Sequence, residues 1–268
     1  MALSRNIKLT IAYDGHSFAG WQIQPGQATI QGTLVSVIEH ITGEKTLPQG
    51  SGRTDAGVHA LAQVATVKLQ SPIPVGNLRK ALNDVLPPSI RILTAEEVNE
   101  DFHARKSARA KTYRYRIYRR EICPPFLARY VYHHPYSLNE DAMREAAAIV
   151  AGEHDFTSFA AVDPESRKEG LEVNNVRTIY SSSWQRCDEE LIYTVRGNGF
   201  LHHMVRNLVG AFLMIGKGNL TAADLQRILE QRDRSAAAAT APASGLYLVS
   251  VEYRQENGYS FLVFSPAL

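Results

Sequence analysis

Eleven consecutive residues, Gly50-Ser51-Gly52-Arg53-Thr54-Asp55-Ala56-Gly57-Val58-His59-Ala60, hold the densest group of chemically useful side chains in this 268-residue sequence. Three glycines let the backbone turn tightly and come close to a ligand, and between them stand one arginine and one carboxylate. The same composition also describes an ordinary turn in which Asp55 caps nearby amides and Arg53 is solvated. A second segment, Arg196-Gly197-Asn198-Gly199-Phe200-Leu201-His202-His203-Met204-Val205-Arg206-Asn207, reads as a strand end, a glycine turn and the start of an apolar helix. Arg206 is expected about one and a half turns into that helix. There it either snorkels to water or, if buried, pairs with a carboxylate from elsewhere, because an unpaired buried ion is costly. A third segment, His103 to Arg120, carries Arg105, Lys106, Arg109, Lys111, Arg114, Arg116, Arg119 and Arg120, no acidic residue, and three interleaved tyrosines, Tyr113, Tyr115 and Tyr118. A local charge of +8 in a chain of net charge +2 attracts phosphates through counterion release, and the tyrosines offer faces to bases. The alternative is a strand edge guarded by solvated cations.

Several chemistries lack their signature. The nine histidines include no H-E-x-x-H, and the adjacent pairs His133-His134 and His202-His203 would diverge on a helix, so no metal site is expected. There is no G-x-x-x-x-G-K-[ST], G-x-G-x-x-G or G-x-S-x-G. Chemistry is therefore expected to run on side chains alone, without a cofactor. Cys123 and Cys187 stand too far apart for a zinc knuckle and fit two free thiols. Hydrophobic residues at 44% can fill a sizeable core. No apolar run reaches the length of a membrane span, and the N-terminus enters a strand-like pattern at once, without a signal peptide. A soluble cytoplasmic protein is expected.

The elements that must position these residues follow from periodicity. Ile7, Leu9, Ile11 and Tyr13 alternate as in a half-buried strand. Thr29 to Thr42 has helical period, with Gly43 as its stop, and 48–60 is a loop by composition. Gln63 to Leu69 reads as a strand, and Leu78, Leu82 and Val85 as a short helix ended by Pro87-Pro88. Ile90 to Val98 and Ala110 to Arg119 are strands. Ser137 with Glu140 forms a capping box for a helix to about Val150, with Gly152 as its stop. Arg177 to Arg186 and Leu191 to Gly197 form a hairpin, Leu201 to Ile215 a helix, Thr221 with Asp224 a further helix start, and Leu246 to Tyr253 a last strand. Strand pairs joined by short turns favour an α+β fold with a largely antiparallel sheet. Two lobes, 1–105 and 106–268, are expected to share that sheet, with the site in a cleft between them.

The three reactive segments, taken together, resemble the TruA family of tRNA pseudouridine synthases. Gly52-Arg53-Thr54-Asp55-Ala56-Gly57-Val58-His59 is similar to the family's signature loop. Further matching pieces are Tyr13-Asp14-Gly15 with Gly20-Trp21-Gln22, Asp101-Phe102-His103-Ala104-Arg105, Tyr113-Arg114-Tyr115, Gly152-Glu153-His154-Asp155-Phe156-Thr157-Ser158-Phe159, His202-His203-Met204-Val205-Arg206-Asn207 and Gly245-Leu246-Tyr247-Leu248. They stand in family order over nearly the whole chain. The resemblance implies the pseudouridine synthase fold and a cofactor-free isomerase acting on uridines 38, 39 and 40 of the tRNA anticodon stem-loop, working as a homodimer. It implies Asp55 as the essential aspartate and Arg206 as its partner. It also implies Tyr113 as the ring that stacks on the target base and a candidate proton acceptor. Arg53 is implied as the arginine that displaces the base, and Leu246 as an apolar pocket wall. Arg109, Lys111 and Arg114 of the basic stripe are the expected phosphate contacts. A tRNA-binding protein without catalysis and a metal-independent ribonuclease using His59 or His202 are the competing readings.

Overall fold

The computed structural model describes residues 4–161 and 174–254. The first half opens with β1 (Arg5–Tyr13), whose Ile7, Leu9, Ile11 and Tyr13 alternate into the core as a period of two requires. Helix α1 (Ile30–Thr42) starts where the Thr29 side chain accepts from the Gly32 amide, and stops at Gly43 in the left-handed region (φ 75°). Its apolar stripe, Ile30, Leu34, Val37 and Ile38, is buried. A two-residue strand β2 (Gln49–Gly50), β3 (His59–Leu69), helix α2 (Val75–Val85) and β4 (Ile90–Val98) complete this half.

The second half contains β5 (Ala108–Tyr118), β6 (Tyr132–His133), α3 (Glu140–Ile149), β7 (Gly152–Asp155), β8 (Val176–Cys187), β9 (Glu190–Gly197), α4 (Met204–Gly216), α5 (Ala222–Gln231) and β10 (Leu246–Tyr253). Tyr193 of β9, Trp184 of β8 and Phe212 of α4 pack with ring centroids 5.0–5.9 Å apart. The one hydroxyl among them bonds Ser182 Oγ at 2.8 Å. Complete burial of a side chain such as Phe212 contributes about 1.5–3 kcal/mol.

Among the described residues, ten strands form one sheet with the spine β4-β1-β3-β10-β5-β9-β8-β7. The pairings are antiparallel apart from β3 with β10 and β5 with β6, so the architecture is the expected α+β with a largely antiparallel sheet. The last strand is inserted at the centre. Tyr247 and Leu248 pair with His59 and Ala60 of β3, and on the other side Leu246, Tyr247 and Leu248 pair with Tyr115, Arg114 and Tyr113 of β5.

Three local expectations need correction. Asn139, not Ser137, caps α3: its side chain accepts from the Ala142 amide at 3.0 Å, and Glu140 becomes the first helical residue. Gly152 does not end that helix, which closes at Val150; Gly152 opens β7 with φ 102°. Helix α4 begins at Met204, so Arg206 lies in its first turn and not one and a half turns in. The cause is upstream. Gly197 and Asn198 pair with β8, and the segment from Gly199 to His203 is spent on the turn. The short strands β2, β6 and β7 carry no period long enough to be seen in the sequence.

Helix α4 is held against residues 239–241. A Cβ on Gly210 would stand 2.0 Å from the Ala239 carbonyl oxygen. The Ala241 amide donates to the Arg206 carbonyl at 3.1 Å, and Arg206 Nε donates to the Ala241 carbonyl at 2.8 Å. Replacing a helical glycine by alanine ordinarily stabilises by about 1 kcal/mol. Here Gly210→Ala is expected to destabilise by about 1–3 kcal/mol through overpacking, read as a lower urea midpoint; a raised midpoint would show that the 239–241 segment yields without cost.

Candidate active site

The loop that carries Asp55 is pinned from several sides. Gly20, at φ 98°, approaches so closely that a Cβ there would meet the Thr54 carbonyl oxygen at 2.5 Å. That approach lets the Trp21 amide donate to the same carbonyl at 3.0 Å. Tyr13 Oη bonds Thr54 Oγ1 at 2.8 Å. Ser51 Oγ donates to Gln63 Oε1 at 2.6 Å, and Gln63 Nε2 donates back to the Gly52 carbonyl at 2.9 Å. Tyr13, Ser51, Thr54 and Gln63 are all buried, so these bonds form in a low-dielectric setting where leaving a partner unpaired is costly.

Asp55 projects from this loop toward the N-terminus of α4. Arg206 Nη1 donates to its Oδ2 at 2.8 Å, with both side chains about 15% exposed. The Arg206 guanidinium is itself oriented by the Ala241 carbonyl. His203 caps α4 in the left-handed conformation (φ 59°, ψ 2°) without a side-chain cap bond. Its Nε2 instead lies 3.3 Å from Asp55 Oδ2, while His202 Nε2 lies 3.6 Å from Oδ1. A non-glycine residue with positive φ is uncommon, and such strain concentrates at functional sites. Burial holds the His203 pKa below its ordinary value against the pull of Asp55, helped by His202, Arg206 and Arg234, so the ring is neutral at pH 7.

The expectation that the two histidines diverge is overturned. They precede the helix, their rings are 4.1 Å apart, and both face Asp55. The signal available in the sequence was the Gly197–Gly199 turn just upstream, which takes them off the helix. The possible ligand atoms of Asp55, His202 and His203 all lie within 4.8 Å of one another. Arg206, however, already bonds the Oδ2 that His203 faces, and its fixed positive charge opposes a dication there.

Asp55, His202 and His203 line one cavity of about 890 Å³ together with Gln22, Arg53, Arg105, Lys111, Tyr113, Arg177, Phe200 and Leu246. Tyr113 is buried and meets the Phe200 ring edge-on at 4.9 Å. Burial, with Tyr13 and Asp55 nearby, drives its phenol well above the ordinary tyrosine value, so it stays protonated. Leu246, buried at the start of β10, stands opposite Tyr115 in register. Arg53 is exposed and also lines the cavity.

The basic stripe is divided by the strand that carries it. Arg105 and Lys111 reach the cavity and Arg109 is exposed. Arg114 alternates with Tyr113 to the other face of β5 and does not line the cavity. Arg116 forms a bidentate pair with Glu190 at 2.6 and 2.7 Å, and Arg120 pairs with Glu189. Arg119 donates to the His134 carbonyl. His59 is also committed to structure: it accepts from the Gly15 amide at Nδ1, bonds the Arg129 carbonyl at Nε2 and stacks on Tyr247.

Comparison with known proteins agrees with this geometry. The sequence matches a family described as tRNA pseudouridine synthase over residues 9–105 and 146–254. A tRNA pseudouridine synthase A from Solibacter usitatus is 54% identical over 249 residues, covering 93% of this chain and all of that protein. Proteins of the same name from Caldicellulosiruptor bescii and Limosilactobacillus reuteri are each 45% identical over 249 and 251 residues, covering 93% and 92% of this chain and 100% and 96% of their own length. With the match spanning both the Asp55 loop and the Arg206 helix, the chain belongs to the tRNA pseudouridine synthase family.

Proposed function

We propose that this protein isomerises uridine to pseudouridine at positions 38, 39 and 40 of the tRNA anticodon stem-loop, with Asp55 as the reacting carboxylate. The observation that carries the reading is a carboxylate paired with Arg206 and flanked by two imidazoles, inside a cavity large enough for a nucleotide.

The reaction breaks the N1–C1′ bond, turns the uracil and joins C5 to C1′. The C5 proton is lost and N1 gains one. Electrons and atoms balance within the substrate, so the chemistry asks for no redox partner or group donor. A carboxylate can act in it as nucleophile or base, and an arginine partner favours the charged form such a group needs. The base must leave its stack to reach the cavity. Arg53, two residues before Asp55 and exposed, suits the role of entering the vacated position. Tyr113 offers a ring for stacking; because its phenol stays protonated, any proton it accepts must be passed on in the same step. Leu246 supplies an apolar wall beside it. Arg109 and Lys111 suit contacts to the phosphate backbone. In this reading residues 1–105 and 106–268 act as two lobes about the cavity, and the working form is a cytoplasmic homodimer that grips one tRNA across both subunits.

The ribonuclease reading loses His59, which is tied into the fold at both ring nitrogens. The idle-binder reading has no use for a half-buried Asp55–Arg206 pair. Incubation with unmodified tRNA separates all three, because the product is intact with pseudouridine, cleaved, or unchanged.

Asp55→Asn keeps shape and removes the charge. It is expected to lower single-turnover pseudouridine formation by about a thousandfold or more while tRNA binding persists; turnover near the parent rate sinks the assignment. For Arg206, the lysine variant keeps the charge but loses the planar fork, and Arg206→Met removes the charge. Lysine is expected to retain a small fraction of the rate and methionine almost none. Similar rates for Arg206→Met and parent would mean that the pair does not drive the chemistry.

A further inference from the structure

Three cations from separate elements meet at one part of the cavity wall: Arg105 from the turn before β5, Lys111 from β5 and Arg177 from β8. Lys111 Nζ donates to the Ser51 carbonyl at 2.6 Å and stands 3.0 Å from where a Cβ on Gly52 would be. It therefore lies directly beneath the loop that ends in Asp55. Arg177 is anchored by Nη1 to the carbonyls of Asn174 and Val176 at 2.8 and 2.7 Å, and its Nε would lie 3.5 Å from a Cβ on Gly199.

What distinguishes this trio is the lack of an anion among the described residues. Arg116, Arg196 and Arg206 each hold a carboxylate. Among the described residues no carboxylate forms an ion pair with Arg105, Lys111 or Arg177, and none contributes to the electrostatics of Lys111 or Arg177. Burial, Arg105 and Arg177 together lower the Lys111 pKa to about 8. Burial and Arg105 also lower that of Arg177. Among the described residues the groups facing Lys111 are those two arginines and the Ser51 carbonyl; Tyr253 of β10, next to Ser51, is kept neutral by burial. Like charges gathered here, with Lys111 and Arg177 partly buried and Arg105 exposed, repel one another, and an incoming anion removes the repulsion.

We propose that Arg105, Lys111 and Arg177 form a phosphodiester subsite, which holds a backbone phosphate next to the nucleotide whose base is turned toward Asp55. The subsite deepens the tRNA-modifying reading and rests on it. Guanidinium forks suit phosphate oxygens in pairs, and Lys111 has two ammonium donors beyond the one given to Ser51. Phosphate binding favours protonated Lys111, so the affinity of the free protein for tRNA declines once the pH passes the value at which Lys111 loses its proton.

The test measures tRNA turnover by the full chain at about pH 6.5 to 9, separating the half-saturating tRNA concentration from the maximal rate. In the parent, half-saturation is expected to rise above about pH 8. Lys111→Arg, which stays charged throughout, is expected to abolish that rise. Lys111→Met and Arg177→Gln are each expected to raise half-saturation about tenfold at pH 7 with the maximal rate changed less than about threefold, the signature of lost uniform binding. Inorganic phosphate, against chloride at equal ionic strength, is expected to compete with tRNA on the parent and not on Lys111→Met. A rise that survives in Lys111→Arg, or unchanged half-saturation in Lys111→Met, overturns the subsite. If the parent forms no pseudouridine on any tRNA, it is the proposed function that fails. The same four proteins compared by tRNA affinity alone then decide the subsite, since only Lys111→Arg should lose the pH dependence while keeping tight binding.

Discussion

The site depends on one contact, the ion pair between Asp55 and Arg206. The two residues are 151 positions apart, one on a loop of the first half and the other in the first turn of α4. Neither side chain is free to move. The Asp55 loop is fixed by the bonds of Tyr13, Gln63 and Trp21, and the Arg206 guanidinium by the Ala241 carbonyl. A half-buried carboxylate and a half-buried guanidinium are each costly alone. Their meeting therefore ties the geometry of the reacting group to the correct docking of the two halves of the sheet.

The docking is made by β10. A strand from the end of the described chain lies between β3 and β5, parallel to one and antiparallel to the other. Its first residues, Leu246 to Leu248, bring the Asp55 side of the sheet into register with Tyr113 and Tyr115. The same strand continues to Tyr253, whose hydroxyl bonds the Ala104 carbonyl at 2.8 Å and so holds the turn that presents Arg105. One central strand thus sets the spacing between the carboxylate, the stacking ring and the cationic wall. Strain is confined nearby: His203 takes a left-handed conformation, and its ring turns to Asp55 instead of capping α4.

The electrostatics of the cavity are arranged asymmetrically. Near α4 a single carboxylate is surrounded by one arginine and two imidazoles, of which His203 is neutral at pH 7. Near β5 and β8 three cations gather without a counter-charge among the described residues. Elsewhere in the stripe two arginines are neutralised, Arg116 of β5 by Glu190 and Arg120, just beyond that strand, by Glu189. The +8 stripe of the sequence is therefore not one electrostatic surface. The pleat of β5 sends alternate residues to opposite faces, and the partners waiting on each face decide which cations remain available to a ligand.

Much of this was legible in one dimension. The period of two in Ile7 to Tyr13, the helical spacing of Ile30, Leu34 and Ile38 with Gly43 after it, and the Thr221–Asp224 box are local, and local sterics and burial suffice to set them. Asp55, Arg206 and Tyr113 could be singled out only because several motifs stand together in family order; each segment by itself also fits a turn, a snorkelling arginine or a guarded strand edge. What the sequence alone did not determine was every feature that rests on a distant partner. Asn139 displaced Ser137 as the cap of α3 because its backbone amide donates to the distant Gly216 carbonyl while its side-chain oxygen accepts from the Ala142 amide. His202 and His203 converge on Asp55 because the turn after β9 delays the start of α4. Arg177, far from the basic stripe in sequence, joins Arg105 and Lys111 only because β8 and β9 fold back beside β5. Charge pairing and strand order act through space over separations that periodicity cannot register, and so the tertiary structure alone decided which of the many cations and imidazoles share the cavity with Asp55.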